Sequence, residues 1–126
     1  MPNMTRMPHA PPENTIQLSL RLDFAPNTRI GPGQIALLAQ IDAHGSLRAA
    51  AAQLGMSYPK ALKLVKRLNS MLQDGAVALA HGGNGGGGAT LTPAGKALIA
   101  HYRSLEAHTY RDNTQQLDAI ARLLKK

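Results

Sequence analysis

The chain has 126 residues and sets 14 Lys and Arg against 7 Asp and Glu, a formal charge of +7, which directs attention to a polyanionic partner, either nucleic acid or an anionic membrane surface. The absence of cysteine excludes disulfides, thiolate metal sites and cysteine nucleophiles. No apolar run approaches the roughly eighteen residues of a membrane span, and the start lacks the apolar core of a signal peptide, so a cytoplasmic protein without a membrane partner is expected. The aromatic residues, Phe24, Tyr58, Tyr102 and Tyr110, are too few for the base-stacking platforms of RNA and single-strand binders.

Residues 1–14 hold Pro2, Pro8, Pro11 and Pro12 without periodicity and read as a disordered lead. Met1, Met4 and Met7 recur every third residue; thioethers can bind soft metals, but alternative start sites explain the spacing more simply and no metal is assigned. Ile16, Leu18, Leu20, Leu22 and Phe24 alternate with Gln17, Ser19, Arg21 and Asp23, the pattern of a half-buried strand. Pro26 and Asn27 turn the chain toward a helix from Gln34 to His44, with Ile35, Leu38, Ala39 and Asp42 at helical spacing and Ile41 close to that side. Gly45 ends it.

Ser46 caps an alanine-rich segment, Leu47 to Leu54, whose small side chains suit a close helix crossing at Ala50, Ala51 and Leu54. Gly55 and Met56 break it. Ser57 then caps a second helical run to about Gln73, with Pro59 in the first turn, where its missing N–H costs nothing. Helix, tight turn, helix is the spacing of a helix-turn-helix.

At about 100° per residue, Ala61, Val65, Leu68 and Leu72 form one apolar stripe, with Leu64 to one side. Lys60, Lys63, Lys66 and Arg67 lie between about 140° and 260° from Ala61, nearly opposite. Between Asp42 and Asp74 stand Arg48 and these four cations and no acid. A face serving only solubility mixes its signs, so double-stranded DNA is the expected partner. Ser57, Tyr58 and Lys60, at the start of the helix, are placed to read base edges, and Lys63, Lys66 and Arg67 to hold phosphates. Ser46 and Arg48 are counted with the same interface.

Next come Ala76 to His81, a strand candidate, a glycine run from Gly82 to Gly88, and Ala89-Thr90-Leu91 as a return strand. Together they make a β-hairpin wing. At its tip the backbone of Gly83, Asn84, Gly85 and Gly86 can approach phosphates closely. The formal G-x-G-x-x-G at Gly83, Gly85 and Gly88 lacks the long preceding strand and the helix on its last glycine, and no Lys-Ser or Lys-Thr follows, so nucleotide-binding readings are set aside.

Thr92-Pro93 starts a helix carrying Leu98, Tyr102 and Leu105 on one face. After a polar stretch, Arg111 to Gln116, a second apolar set follows at Leu117, Ile120, Ala121 and Leu124; whether this is one helix or two stays open. So small a domain has little core left for the second set to cover. Leu98, Tyr102, Leu105, Leu117, Ile120 and Leu124 are therefore the candidate dimerisation residues. A homodimer supplies two recognition helices for half-sites about 34 Å apart.

His9, His44, His81, His101 and His108 show no paired metal-ligand spacing, and the seven acids are scattered, so no metal, cofactor or catalytic pair is expected. The expected fold is mainly α with a small β component. It comprises a lead over 1–14, a winged helix-turn-helix over 15–92 with an N-terminal strand and glycine-rich wing, and a dimerising helical region over 93–126. A helix-turn-helix adaptor for protein association and a nonspecific architectural DNA binder are the competing readings.

Over roughly Leu18 to Leu105 the chain resembles the N-terminal DNA-binding domain of ModE-type molybdate-responsive transcription regulators, themselves related to the LysR-type winged helix-turn-helix. The resemblance rests on GSLRAAAAQLGMSYPKAL, on the wing GGNGGGGATLT and on LTPAGKALIAHY. It implies a dimeric regulator with the helix from Ser57 in the major groove and the wing against the backbone or minor groove. Pro59 stands where that family commonly has lysine, which removes one groove-facing charge. The family binds molybdate in separate C-terminal domains; this chain ends at Lys126, and molybdate sensing is not carried over to it.

Overall fold

The computed structural model describes residues 16–80 and 88–125. The proline-rich lead over 1–14 and the wing-tip residues Gly83, Asn84, Gly85 and Gly86 lie outside the described residues. In chain order the elements are β1 (Leu22–Phe24), β2 (Thr28–Ile30), α1 (Pro32–His44), α2 (Leu47–Gln53), α3 (Tyr58–Met71), β3 (Val77–Leu79), β4 (Ala89–Leu91), α4 (Pro93–Asp112) and α5 (Thr114–Leu123). This is a mainly helical winged helix-turn-helix.

The alternation over 16–24 predicts one strand, and the structure forms a hairpin instead. Leu22 pairs with Ile30 and Phe24 with Thr28, antiparallel, across a turn that includes the cis Ala25–Pro26 peptide. Upstream, Ile16, Leu18 and Leu20 are half-buried and Gln17 and Ser19 exposed, so the alternation holds for side chains but no ladder forms. A strand needs a partner's hydrogen bonds as well as an apolar face, and among the described residues its partner is β2, three residues long. Phe24, at the turn, is 51% exposed rather than on the buried side.

α1 is the hub of the core. Ile35, Leu37, Leu38 and Ile41 are all fully buried, because α2, α3, α4 and β4 pack around the helix. A helix with neighbours on several sides needs apolar residues on several sides. The single face expected through Ala39 and Asp42 is accordingly not found: Asp42 is exposed, Ala39 is half-buried, and Leu37 joins the core. On α2, Ala50 and Ala51 are buried and allow a close crossing with α1. Ser46 Oγ accepts from the Ala49 N–H at 3.1 Å. The turn into α3 passes through Gly55 at φ 65°, a left-handed conformation that a residue with a Cβ adopts only with strain.

The first half of α4 closes the same core. Thr92 Oγ1 accepts from the Gly95 N–H at 2.9 Å and donates to the Gly75 carbonyl at 2.8 Å. Leu98 and Ile99 pack against the core, and Tyr102 is buried within it, its hydroxyl donating to the Leu20 carbonyl. Burial, with Glu106 adding to it, pushes the Tyr102 phenol up from its ordinary pKa, so it remains a neutral donor. This bond pins the N-terminal segment onto α4. Leu98 and Tyr102 thus pack against the core of the chain itself; a face turned to the core and a face turned to a partner share one periodicity, so spacing alone does not tell them apart.

The polar stretch after Tyr110 is a break. Asn113, at φ −129° and ψ 26°, separates α4 from α5, and its Nδ2 donates to the Thr109 carbonyl at 2.8 Å. None of α5 is fully buried. Among the described residues no helix is long and apolar enough to cross a membrane.

Candidate nucleic-acid interface

α3 separates apolar from cationic side chains in three dimensions as its spacing predicts. Ala61, Val65 and Leu68 are fully buried, while Lys60, Lys63, Lys66 and Arg67 are exposed. Among the described residues the ion pairs join Arg21 and Arg29 to Asp23, Arg103 to Glu106, and Arg111 to Asp112. Neither Arg48 nor any α3 cation takes part. Lys60 sits in the first turn of α3, where the positive end of the helix dipole disfavours a cation by about 0.3–1 kcal/mol. Charge placed against local stability, with no carboxylate partner among the described residues, is charge available to an external anion.

Arg48 and Tyr58 form a pair that sequence spacing does not reveal, because they belong to different helices. The Arg48 guanidinium carbon lies 4.5 Å from the Tyr58 ring centroid, a cation–π contact worth about 0.5–1 kcal/mol at an exposed site. Tyr58 is half-buried against the core. It acts as a platform that holds Arg48 beside the start of α3. Ser57 Oγ accepts from the Lys60 N–H at 3.2 Å, so each cap hydroxyl, Ser46 and Ser57, accepts one backbone bond of its own helix and keeps its O–H as a donor.

The wing is fastened to α3 by Asn69, which is absent from the predicted site residues. Its Oδ1 accepts from the N–H groups of Ala76 and Val77 at 2.7 and 3.0 Å, and its Nδ2 donates to the Val77 carbonyl at 3.0 Å. The only sequence signal is a short amide near the end of an otherwise basic helix. β3 and β4 pair antiparallel, Val77 with Leu91 and Leu79 with Ala89. The Ala89 N–H donates to the Gly45 carbonyl at 3.0 Å, which ties the hairpin to the end of α1. The base of the wing therefore has a fixed position relative to the basic face.

Of the other candidates, Leu105 is 44%, Ile120 58% and Leu124 66% exposed, and Leu117 is half-buried. Leu123, which the helical spacing passes over, is the most exposed at 82%. Among the described residues no three His, Asp or Glu side chains gather into a metal site.

A tight helix-turn-helix whose basic second helix has no ion-pair partner among the described residues, with a hairpin bolted to that helix's far end, defines a winged helix-turn-helix domain. The bacterial regulatory helix-turn-helix proteins of the lysR family match residues 32–96, just over half of the chain, and the chain belongs to that family. It is 48% identical over 79 residues to the molybdenum-pterin-binding protein MopB of Rhodobacter capsulatus, covering 63% of this chain and 29% of that one. It is 37% identical over 112 residues to the transcriptional regulator ModE of Yersinia pestis, covering 84% of this chain and 40% of that one. The DNA-binding transcriptional dual regulator ModE of Escherichia coli (strain K12) is 39% identical over 71 residues, covering 56% of this chain and 27% of the relative. The chain spans less than half the length of these curated relatives.

Proposed function

We propose that this chain is a sequence-specific, double-stranded DNA-binding domain of a transcriptional regulator, working as a homodimer. The observation that carries the proposal is the basic face of α3, exposed and without a carboxylate partner among the described residues. The names of its relatives, a transcriptional regulator and a DNA-binding dual regulator, support the same reading. α3 enters the major groove. Ser57, Tyr58 and Lys60 face base edges, Lys63, Lys66 and Arg67 hold the flanking phosphates, and Ser46 and Arg48 hold the backbone at the start of the motif. The backbone of the glycine-rich tip, Gly83 to Gly86, is proposed as a further phosphate contact. The domain works by binding, with no catalytic chemistry of its own.

Gel shifts in rising salt test this directly. A protein neutralising six or more phosphates loses about 10³-fold in affinity between 50 and 200 mM salt, and here one preferred duplex should survive competition by about 10³-fold over bulk DNA. Equal competition by every sequence would remove the sequence-specific reading.

The dimer is proposed to form through Leu105 on α4, Leu117 and Ile120 on α5 and Leu124 just past its end, of which Leu105, Ile120 and Leu124 are exposed and Leu117 is half-buried. Equilibrium sedimentation at micromolar concentration is expected to give a dimer for the native chain and a monomer for Ile120→Glu, with unchanged helical circular dichroism. A native chain that sediments as a monomer refutes the two-half-site arrangement.

A further inference from the structure

The N-terminal hairpin brings to α3 a cation that belongs to neither the helix-turn-helix nor the wing, and that lies outside the family-matched segment. Arg29 on β2 and Arg67 on α3 line one cleft of about 440 Å³, together with Gly33, Gln34 and Leu64. Among the described residues no carboxylate lines it. The acid beside Arg29 is Asp23, whose Oδ1 is 3.9 Å from the Arg29 Nε, the outer limit of an ion pair. Arg21 holds that same carboxylate far more closely, at 3.0 Å and through hydrogen bonds of 3.1 and 3.2 Å. Arg29 therefore keeps most of its charge available, with 63% of its side chain exposed.

Its anchor is nonetheless firm. The Arg29 carbonyl accepts from Gln34 Nε2 at 3.1 Å, and Gln34 Oε1 accepts from the Gly31 N–H at 2.6 Å, which fixes the end of β2 to the first turn of α1. Two arginines on one cleft, each a planar donor fork that matches phosphate oxygens in pairs, make a site for a phosphodiester. The cleft shares Arg67 with the basic face of α3, so a duplex lying on that face passes its opening.

We propose that Arg29 and Arg67 together grip a backbone phosphate of duplex DNA flanking the bases under α3, and that Asp23 weakens this grip by competing for Arg29. The proposal rests on the DNA-binding reading above. It adds a phosphate contact supplied by the N-terminal hairpin.

Fluorescence anisotropy of the full chain on labelled duplexes, from 50 to 200 mM salt, tests it. Arg29→Gln should weaken binding several-fold and equally on all sequences, and should lower the slope of log affinity against log salt by about 1. Arg29→Lys should restore the slope. Asp23→Asn, which frees both Arg21 and Arg29, should tighten binding several-fold, the opposite of what loss of a merely structural ion pair would do. Arg29→Gln and Asp23→Asn with native affinity and slope, while Lys63→Glu with Lys66→Glu no longer binds, would overturn the cleft and leave the DNA reading standing. If the lysine double variant binds as the native chain does, the DNA reading itself fails and the cleft with it. A change of sequence preference in Arg29→Gln, or weaker binding with an unchanged slope and a lower melting temperature, would also overturn it.

Discussion

Gly95→Ala is expected to destabilise the domain by about 3 kcal/mol or more, a large share of the 5–15 kcal/mol typical of a domain. In an ordinary helix interior the same change would stabilise by roughly 1 kcal/mol. Here a Cβ would lie 2.3 Å from the Ala76 carbonyl oxygen, 3.1 Å from its carbon and 3.3 Å from its Cα. All three are backbone atoms, and they cannot drift away cheaply. The Ala76 oxygen accepts from the Thr92 N–H at 2.9 Å, and the Ala76 N–H donates to Asn69 Oδ1 at 2.7 Å. Relieving the clash therefore disturbs the α4 cap, the start of β3 and the Asn69 anchor together. Thermal unfolding followed by circular dichroism should show a fall of about 10 °C or more. Gly33, where a Cβ would meet nothing within 4 Å, is the control: Gly33→Ala should leave the melting temperature unchanged or raise it. A native melting temperature for Gly95→Ala would contradict the close approach of α4 to the wing base.

What was legible in the sequence is what depends on near neighbours along the chain. Ser46 and Ser57 announce their helices because a cap bonds to a residue three positions on, and Gly55 marks the turn because its backbone needs the left-handed region. The opposed faces of α3 follow from helical spacing alone. The features that escaped are those made by distant segments meeting. The β1–β2 hairpin depends on a partner strand too short to signal itself. Tyr102 reads as a dimerisation candidate by its spacing, and nothing in that spacing announces the bond of its hydroxyl to the Leu20 carbonyl, 82 residues away. Asn69, Arg29 and the Arg48–Tyr58 stack carry no pattern of their own, since each gains its role from a residue on another element. The α4 stripe shows the limit most plainly. Leu98, Tyr102 and Leu105 share a spacing, yet two pack inward and one stays exposed, because the core ends partway along the helix.

The second large effect concerns the charge on α3. Lys63→Glu combined with Lys66→Glu lowers the formal charge from +7 by four units, all of it on the exposed face. Neither lysine has an ion-pair partner among the described residues, and neither is buried, so the fold should change by no more than about 0.5 kcal/mol. Two phosphate contacts are lost and two repulsions introduced, which should weaken duplex binding by on the order of 100-fold or more and reduce the salt slope by about 2. The unfolding curve and the binding isotherm of one preparation separate loss of fold from loss of interface. That paired measurement is the most direct test of α3 as a DNA-binding surface: a double variant that melts like the native chain and no longer holds the preferred duplex is the result predicted, and one that melts normally and binds with native affinity and native salt dependence would contradict it.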